Sequence, residues 1–253
     1  MNITFNNTSL MADPYRVRSF TMEETNNKEV FLYDLARQRG ANLVTSQYRQ
    51  KRFLMIGTII GDDKDDLEAN IDSFKALMDQ SSKNLDIDYS GTTRRFLATA
   101  VRCEVKRDYF NMTFAPFEIE FVVPAGVGYE TARTEDTLAG ITDLTQNESI
   151  TIGGSVPPDD FQLTVTFTAE NAITQMDFQA NGNKITLTPA GGFNNGDIVV
   201  FDQENMKVTL NGTEVAYTGL FPQFYVGANA FLIELTGTSA TYTRKTSYTK
   251  SYA

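Results

Sequence analysis

The stretch GGFNNGDIVVFDQENMKVTLNGTEVAYTGLFPQFYVGANAF, Gly191 to Phe231, decides the fold class. Two short runs in it, Ile198–Phe201 and Met206–Leu210, are apolar and β-prone, and a third, Ala230–Leu235, begins at its end. Such residues suit a pleated, half-buried surface. Turn chemistry lies between the runs. Asn195-Gly196 and Asn211-Gly212 supply residues that tolerate positive φ, as tight hairpins require. Asp202-Gln-Glu-Asn205 reads as a polar turn with Asp at its first position. Phe221-Pro222 forces an extended corner, because a residue before proline avoids the helical region. The stretch predicts antiparallel strands.

The same rhythm extends on both sides. From Glu148 onward, turn signals recur at Gly153-Gly154, Pro157-Pro158 and Asn181-Gly182, the pattern of a β-sandwich. Ala240–Tyr248, with Tyr242, Arg244 and Lys245, reads as a closing strand. Upstream, residues 124–147 carry Gly, Thr and acids without sustained periodicity and read as a linker or an extended arm.

The first half is also strand-rich, with one helix. Ile3–Phe5 and Tyr15–Phe20 read as short strands separated by Asp13-Pro14, and Arg16 and Arg18 alternate with Val17 as on a half-exposed strand. Lys28–Gln38 fits one helical turn or a loop. In Arg52–Ile60 both alternating sets are largely apolar, which predicts a strand covered on both faces. Gly61 ends it. Asp62 or Asp63 then caps a helix, and Asp65, Asp66 and Glu68 place negative charge at its positive end. Leu67, Ile71, Phe74, Leu77 and Met78 form one apolar stripe, ending near Gln80-Ser81-Ser82. Leu85–Tyr89 is a strand and Ser90-Gly91 a turn. Arg94–Lys106 places Leu97, Val101, Cys103 and Val105 on one face, and a polar tip at Arg107-Asp108 leads to Thr113–Val123. There Phe117, Ile119, Phe121 and Val123 face inward, with Glu118 and Glu120 outward. The fold class is mainly β with one packed α-helix, in two domains, 1–135 and 136–253.

Composition removes several function classes. The chain has 253 residues, enough for one large or two medium domains, and 41% of them are hydrophobic. It has no histidine and no tryptophan. Histidine-based acid–base chemistry, Ser-His and Cys-His pairs and most zinc sites are therefore absent. A net charge of −10 argues against a nucleic-acid binder. One cysteine, Cys103, allows no internal disulfide and points to a reducing compartment of assembly. The opening MNITFNNTSL is not expected to be a signal peptide. Phe53–Ile60 is far short of the roughly 20 residues that span a bilayer.

No constellation carries chemistry, so no catalytic, metal, cofactor or ligand-binding residue is assigned. Asp62-Asp63-Lys64-Asp65-Asp66 lacks the spaced acids, central glycine and distal glutamate of a calcium loop and reads as a solvated helix start. Gly191–Gly196 has no strand-to-helix context and no lysine, so it is not a phosphate cradle, and Gly126-x-Gly128 is weaker still. Scattered carboxylates offer a glycosidase dyad only by number. Cys103 reads as an inert core thiol. Phe193, Tyr217, Phe221, Phe224 and Tyr225 suit either a sugar site or core packing, and core is the default.

In order along the chain, the Arg52–Ile60 strand, the acid-capped helix Leu67–Met78, a strand, a long hairpin and Pro124 are followed by Asn195-Gly-Asp, Asp202, Val208-x-x-Asn211-Gly212, Phe221-Pro222, Gly227-x-Asn229 and Ala240-Thr-Tyr-Thr-Arg244. This series resembles the distal tail (Dit) proteins of long, non-contractile-tailed bacteriophages over essentially the whole chain. The resemblance implies a tail-tube-like N-terminal β-sandwich or split barrel with a helix, and a galectin-like C-terminal β-sandwich. It implies a structural virion protein at the phage tail tip, assembled in the host cytoplasm and not an enzyme. It further implies a homo-oligomeric ring, usually of six copies, joining the tail tube to the baseplate hub or receptor-binding proteins. DNA would pass through the ring without being bound, no membrane is involved, and no cofactor is needed. The rival reading is a host-surface carbohydrate-binding module acting through the C-terminal sandwich.

Overall fold

The computed structural model describes residues 1–22, 28–34, 41–89, 91–107 and 112–253. It divides into two compact units, Met1–Thr131 and Ala132–Tyr252. Both are mainly β.

In the first unit the strands are β1 (Ile3–Phe5), β2 (Thr8–Ser9), β3 (Tyr15–Met22), β4 (Lys28–Asp34), β5 (Ala41–Tyr48) and β6 (Lys51–Ile60), then β7 (Lys83–Tyr89), β8 (Thr92–Val105), β9 (Phe114–Val123) and β10 (Gly128–Glu130). One sheet runs in the order β2-β1-β7-β8-β9-β6-β3, with β10 also beside β8. Strand β8 spans 14 residues. Its first half pairs with β7 and its second half with β9. The sheet thereby folds back on itself: Phe96 on β8 meets Phe53 on β6 at 5.0 Å, and Phe5 on β1 meets Phe121 on β9 at 4.9 Å.

Helix α1 (Lys64–Met78) starts where the acids place it. Asp63 is the N-cap and accepts from the Asp66 backbone N–H at 2.9 Å, while Asp66 Oδ2 accepts from the Asp62 N–H at 2.9 Å. Such a cap contributes about 1 kcal/mol. Leu67, Ile71, Phe74 and Met78 are buried, and Phe74 packs on Phe117 at 4.6 Å. Burying each side chain contributes about 1.5–3 kcal/mol, so the stripe, rather than helix propensity, holds α1 to the sheet.

The second unit is a sandwich of two antiparallel sheets. Its strands are β11 (Thr134–Ile141), β12 (Thr145–Ile152), β13 (Gln162–Asn171), β14 (Gln175–Ala180), β15 (Asn183–Leu187) and β16 (Ile198–Asp202), then β17 (Lys207–Leu210), β18 (Thr213–Glu214), β19 (Thr218–Gly219), β20 (Gly227–Thr236), β21 (Ser239–Tyr248) and β22 (Ser251–Tyr252). One sheet has the order β11-β21-β13-β16-β17-β18 and the other β12-β20-β14-β15-β19. Alternate residues fill the space between them: Leu163, Val165, Phe167 and Phe201 from one sheet, and Met176, Phe178, Ile185 and Ile233 from the other. Phe178 meets Phe201 at 5.2 Å.

Several expectations change. Residues 28–34, expected as a helical turn or a loop, form strand β4, which pairs with β5; the rest of that reading, 35–38, lies outside the described residues, as do Ser90 and Asp108. Residues 124–147 are not an arm. Strand β11 pairs with β21 from Thr134 to Ile141, and β12 pairs with β20 from Thr145. Polar, Thr-rich strands carry little periodic signal, because this pairing rests on backbone hydrogen bonds. The Ala240–Tyr248 run is a strand, as read, and lies between β11 and β13. Strand β6 is covered on one face only: Phe53, Met55 and Ile59 are buried, whereas Ile56 is 43% exposed. On β8 the inward residues are Phe96 and Ala98, while Leu97, Val101 and Cys103 are exposed. Both alternating sets there contain apolar residues, and a register shift between Ala100 and Arg102 changes which set faces in. Asn195-Gly196 joins no hairpin; it belongs to a turn closed by the Asp197 N–H on the Asn194 carbonyl at 3.0 Å. Asn181-Gly182 and Asn211-Gly212 do turn hairpins, with both residues of each pair at positive φ.

Candidate functional site

The residues with chemical promise in sequence separate in space and are used structurally. The Asp62–Asp66 acids cap α1. Gly191 to Gly196 packs against residue 173: the Phe193 N–H donates to the Ile173 carbonyl at 2.9 Å. Gly192 has φ of 69°, and a Cβ there would lie 2.7 Å from that carbonyl oxygen, so the glycine serves a close backbone approach. Gly126 likewise sits against the Arg49 carbonyl. Cys103 is exposed rather than in the core. Partial burial of its sulfur raises its pKa, so the thiolate is scarce at neutral pH.

The aromatics do not form one platform. Phe193 and Phe224 are buried, Tyr217 and Phe221 are partly buried against the core, and Tyr225 alone of the five is 52% exposed. The basic end is neutralised in part: Arg244 is buried against Asp136 and Glu148, and Lys245 pairs with Glu135 at 2.8 Å.

What remains is surface suited to assembly. Directly paired residues share a face of a sheet. Arg102, Glu120, Leu54 and Thr21 therefore form one row across β8, β9, β6 and β3. Glu104, Glu118, Ile56 and Ser19 form the next. Arg52 bonds Glu120 at 2.7 Å, and Arg102 bonds Glu104 at 2.8 Å and Glu118 at 3.3 Å. Ile56 and Phe114, each 43% exposed, lie on this same face. It mixes apolar side chains with cross-strand ion pairs. Among the described residues, the sheet also ends in open edges at β2 and β3. Hairpin β4–β5 forms a two-stranded sheet of its own, with Val30 and Phe31 51% and 42% exposed. These features were invisible in sequence, because strand pairing alone defines edges and rows.

The second unit carries a family pattern of its own. Residues 153–252 match the model described as "Siphovirus-type tail component, C-terminal domain" of the SPP1 Dit family. The second unit is thus similar to the C-terminal domain of Dit-family siphovirus tail components. The Dit (gp 19.1) protein of phage SPP1, described as a paradigm of the hub adsorption apparatus in phages infecting Gram-positive hosts, has a similar fold. It aligns at a TM-score of 0.68 and 13% identity over 100% of this chain and 99% of that one. Two phage P2 baseplate structures in activated conformation, with Ca and with Sr, align at 10% and 11% identity. They cover 98% and 96% of this chain and 97% and 96% of theirs, at TM-scores of 0.42 and 0.37. No curated protein sequence matches the chain. Among the described residues, no helix is long and apolar enough to cross a membrane.

Proposed function

We propose that copies of this chain close into a ring, six to a turn, that joins the tail tube to the tail-tip or baseplate proteins. The single observation that carries the ring is hairpin β4–β5. Among the described residues it pairs with no third strand, and an isolated two-stranded ribbon is marginally stable in water. It exposes Val30 and Phe31, so a neighbouring chain is its natural support. The edges at β2 and β3, open among the described residues, point the same way, because unpaired edges are templates for pairing. A closed ring uses one heterologous contact repeated about an axis. The net charge of −10 suits a conduit through which DNA passes without adhering. Assembly takes place in the host cytoplasm, and the mature location is the tail tip. Native mass spectrometry and electron microscopy of concentrated full-length protein test this. A six-fold annulus is expected, disrupted by Phe31→Asp. A monomer at all concentrations, together with intact tails lacking this chain at the tip, overturns it.

A further inference from the structure

The second unit holds a cavity of about 410 Å³ that neither its core nor its family pattern explains. Three loops form it. Pro157 and Pro158 supply one wall, the Gln203–Met206 turn another, and Phe224 and Tyr225 a third. Each loop is pinned. The Gln203 side-chain amide donates to the Pro158 carbonyl at 3.2 Å, and the Gln203 N–H to the Phe161 carbonyl at 3.0 Å. Tyr217 Oη donates to the Met206 carbonyl at 2.9 Å. Asn229 clamps the third loop, accepting from the Tyr225 N–H at 2.9 Å and donating to its carbonyl at 2.7 Å. Phe224 is fixed beneath by stacking on Phe161 at 3.7 Å. The cavity is therefore formed before any ligand arrives, and its volume falls in the range of small-ligand sites.

Its chemistry is one-sided. Asp159 and Glu204 line it, and no lysine or arginine does. Among the described residues nothing pairs with either carboxylate. Gln203 Oε1 is buried and has no hydrogen-bond partner there. An unmet buried acceptor of this kind is costly, which is why native proteins keep few of them. Partial desolvation, with Asp160 adjacent, raises the pKa of Asp159. Tyr225 and Met206, 52% and 50% exposed, add an aromatic face and a polarisable thioether. Two carboxylates with no cation among the lining residues, beside an aromatic face, call for a planar cation rich in N–H groups. Guanidinium fits better than ammonium, because it is weakly hydrated, stacks on rings and offers a fork of donors.

We propose that this cavity seats an arginine side chain presented by a neighbouring tail protein. The identity of the neighbour rests on the adaptor function above; the recognition of guanidinium does not. The test uses full-length protein with carbon-13-labelled methionine methyls, titrated with N-acetyl-arginine amide and with its neutral isostere N-acetyl-citrulline amide. The Met206 methyl is expected to shift saturably with the arginine probe. Citrulline should bind at least about tenfold more weakly, the equivalent of one charge-assisted hydrogen bond. Asp159→Asn/Glu204→Gln should abolish the response without lowering the melting temperature, and Tyr225→Leu should weaken it with both charges intact. The proposal is overturned if Met206 does not respond, if citrulline binds equally, or if the double variant titrates like the parent. A shift produced by galactose and not by arginine also overturns it in favour of a saccharide. The readout is independent of oligomeric state, so failure of the ring and failure of the pocket are told apart.

Discussion

Arg244 Nε donates to Glu148 Oε1 at 2.9 Å, and this bond ties the two sheets of the sandwich together, since Arg244 lies on β21 and Glu148 on β12. The guanidinium also donates to the Asp136 carbonyl at 3.2 Å and to its carboxylate. Burial alone would lower the pKa of Arg244, but its bonds to Glu148 and Asp136 outweigh that and raise it. The side chains of Arg244 and Glu148 are only 7% and 9% exposed. Removing Glu148 leaves the buried guanidinium with only the solvent-exposed Asp136 carboxylate to offset its charge. Glu148→Ala is therefore expected to cost about 3–5 kcal/mol in denaturant melts. Asp136→Asn, at the wet end, should cost at most about 1 kcal/mol. Arg244→Lys should not rescue, because an ammonium cannot reproduce the fork. Equal losses at Glu148 and Asp136 would contradict this account.

Gly57 sits in the middle of β6 for lack of room. A Cβ there would lie 2.3 Å from Phe117 Cζ and 2.6 Å from the Arg16 carbonyl oxygen. Gly57→Ala should destabilise by about 1–3 kcal/mol, the usual cost of overpacking. Adding Phe117→Leu should relieve only part of it, since the Arg16 backbone cannot yield as a side chain does. Full relief in the double variant would show that the backbone contact does not matter.

Asp197 gives the sandwich an acid-sensitive turn. Burial pushes its pKa up, but donation from the Asn211 side chain and from the backbone and side chain of Asn194 prevails and holds it below the ordinary carboxylate value. A depressed folded-state pKa stabilises fully above the unfolded value, about 3.9, and the benefit fades as pH falls below it. The melting-temperature gap between the parent and Asp197→Asn should be constant from about pH 5 upward and narrow below about pH 4. A gap unchanged down to pH 3 would remove Asp197 from the acid limb.

We expect the two units to fold separately, each having its own core. Residues 132–253 should melt cooperatively. A fragment beginning at 147 should not, because it lacks β11 and the start of β12, and with them Asp136 and one of the two partners of β21. Cooperative melting of 147–253 at the same temperature would show β11 to be dispensable.

Helix α1 and strands β6, β7 and β9 were legible because one-dimensional spacing decides them. The cap at Asp63 and the stripe from Leu67 to Met78 depend on residues a few positions apart. So do the hairpins at Asn181-Gly182 and Asn211-Gly212, where local φ preference is enough. Strands β4 and β11 were not legible: their pairing lies in backbone groups that every residue carries.

By itself, then, the sequence determined the mainly β class, the single helix, the exclusion of histidine chemistry and the likeness to distal tail proteins. All of these depend on local spacing, composition or ordered motifs. Tertiary structure alone decided which side of β8 is wet, since a register shift at Ala100–Arg102 is a property of two strands and not of one. It alone placed Arg244 between Glu148 and Asp136, about a hundred residues upstream. It alone gathered Asp159, Gln203 and Tyr225 around one cavity. Those meetings follow from the order in which strands pair, and long-range pairing leaves no periodic trace in the chain.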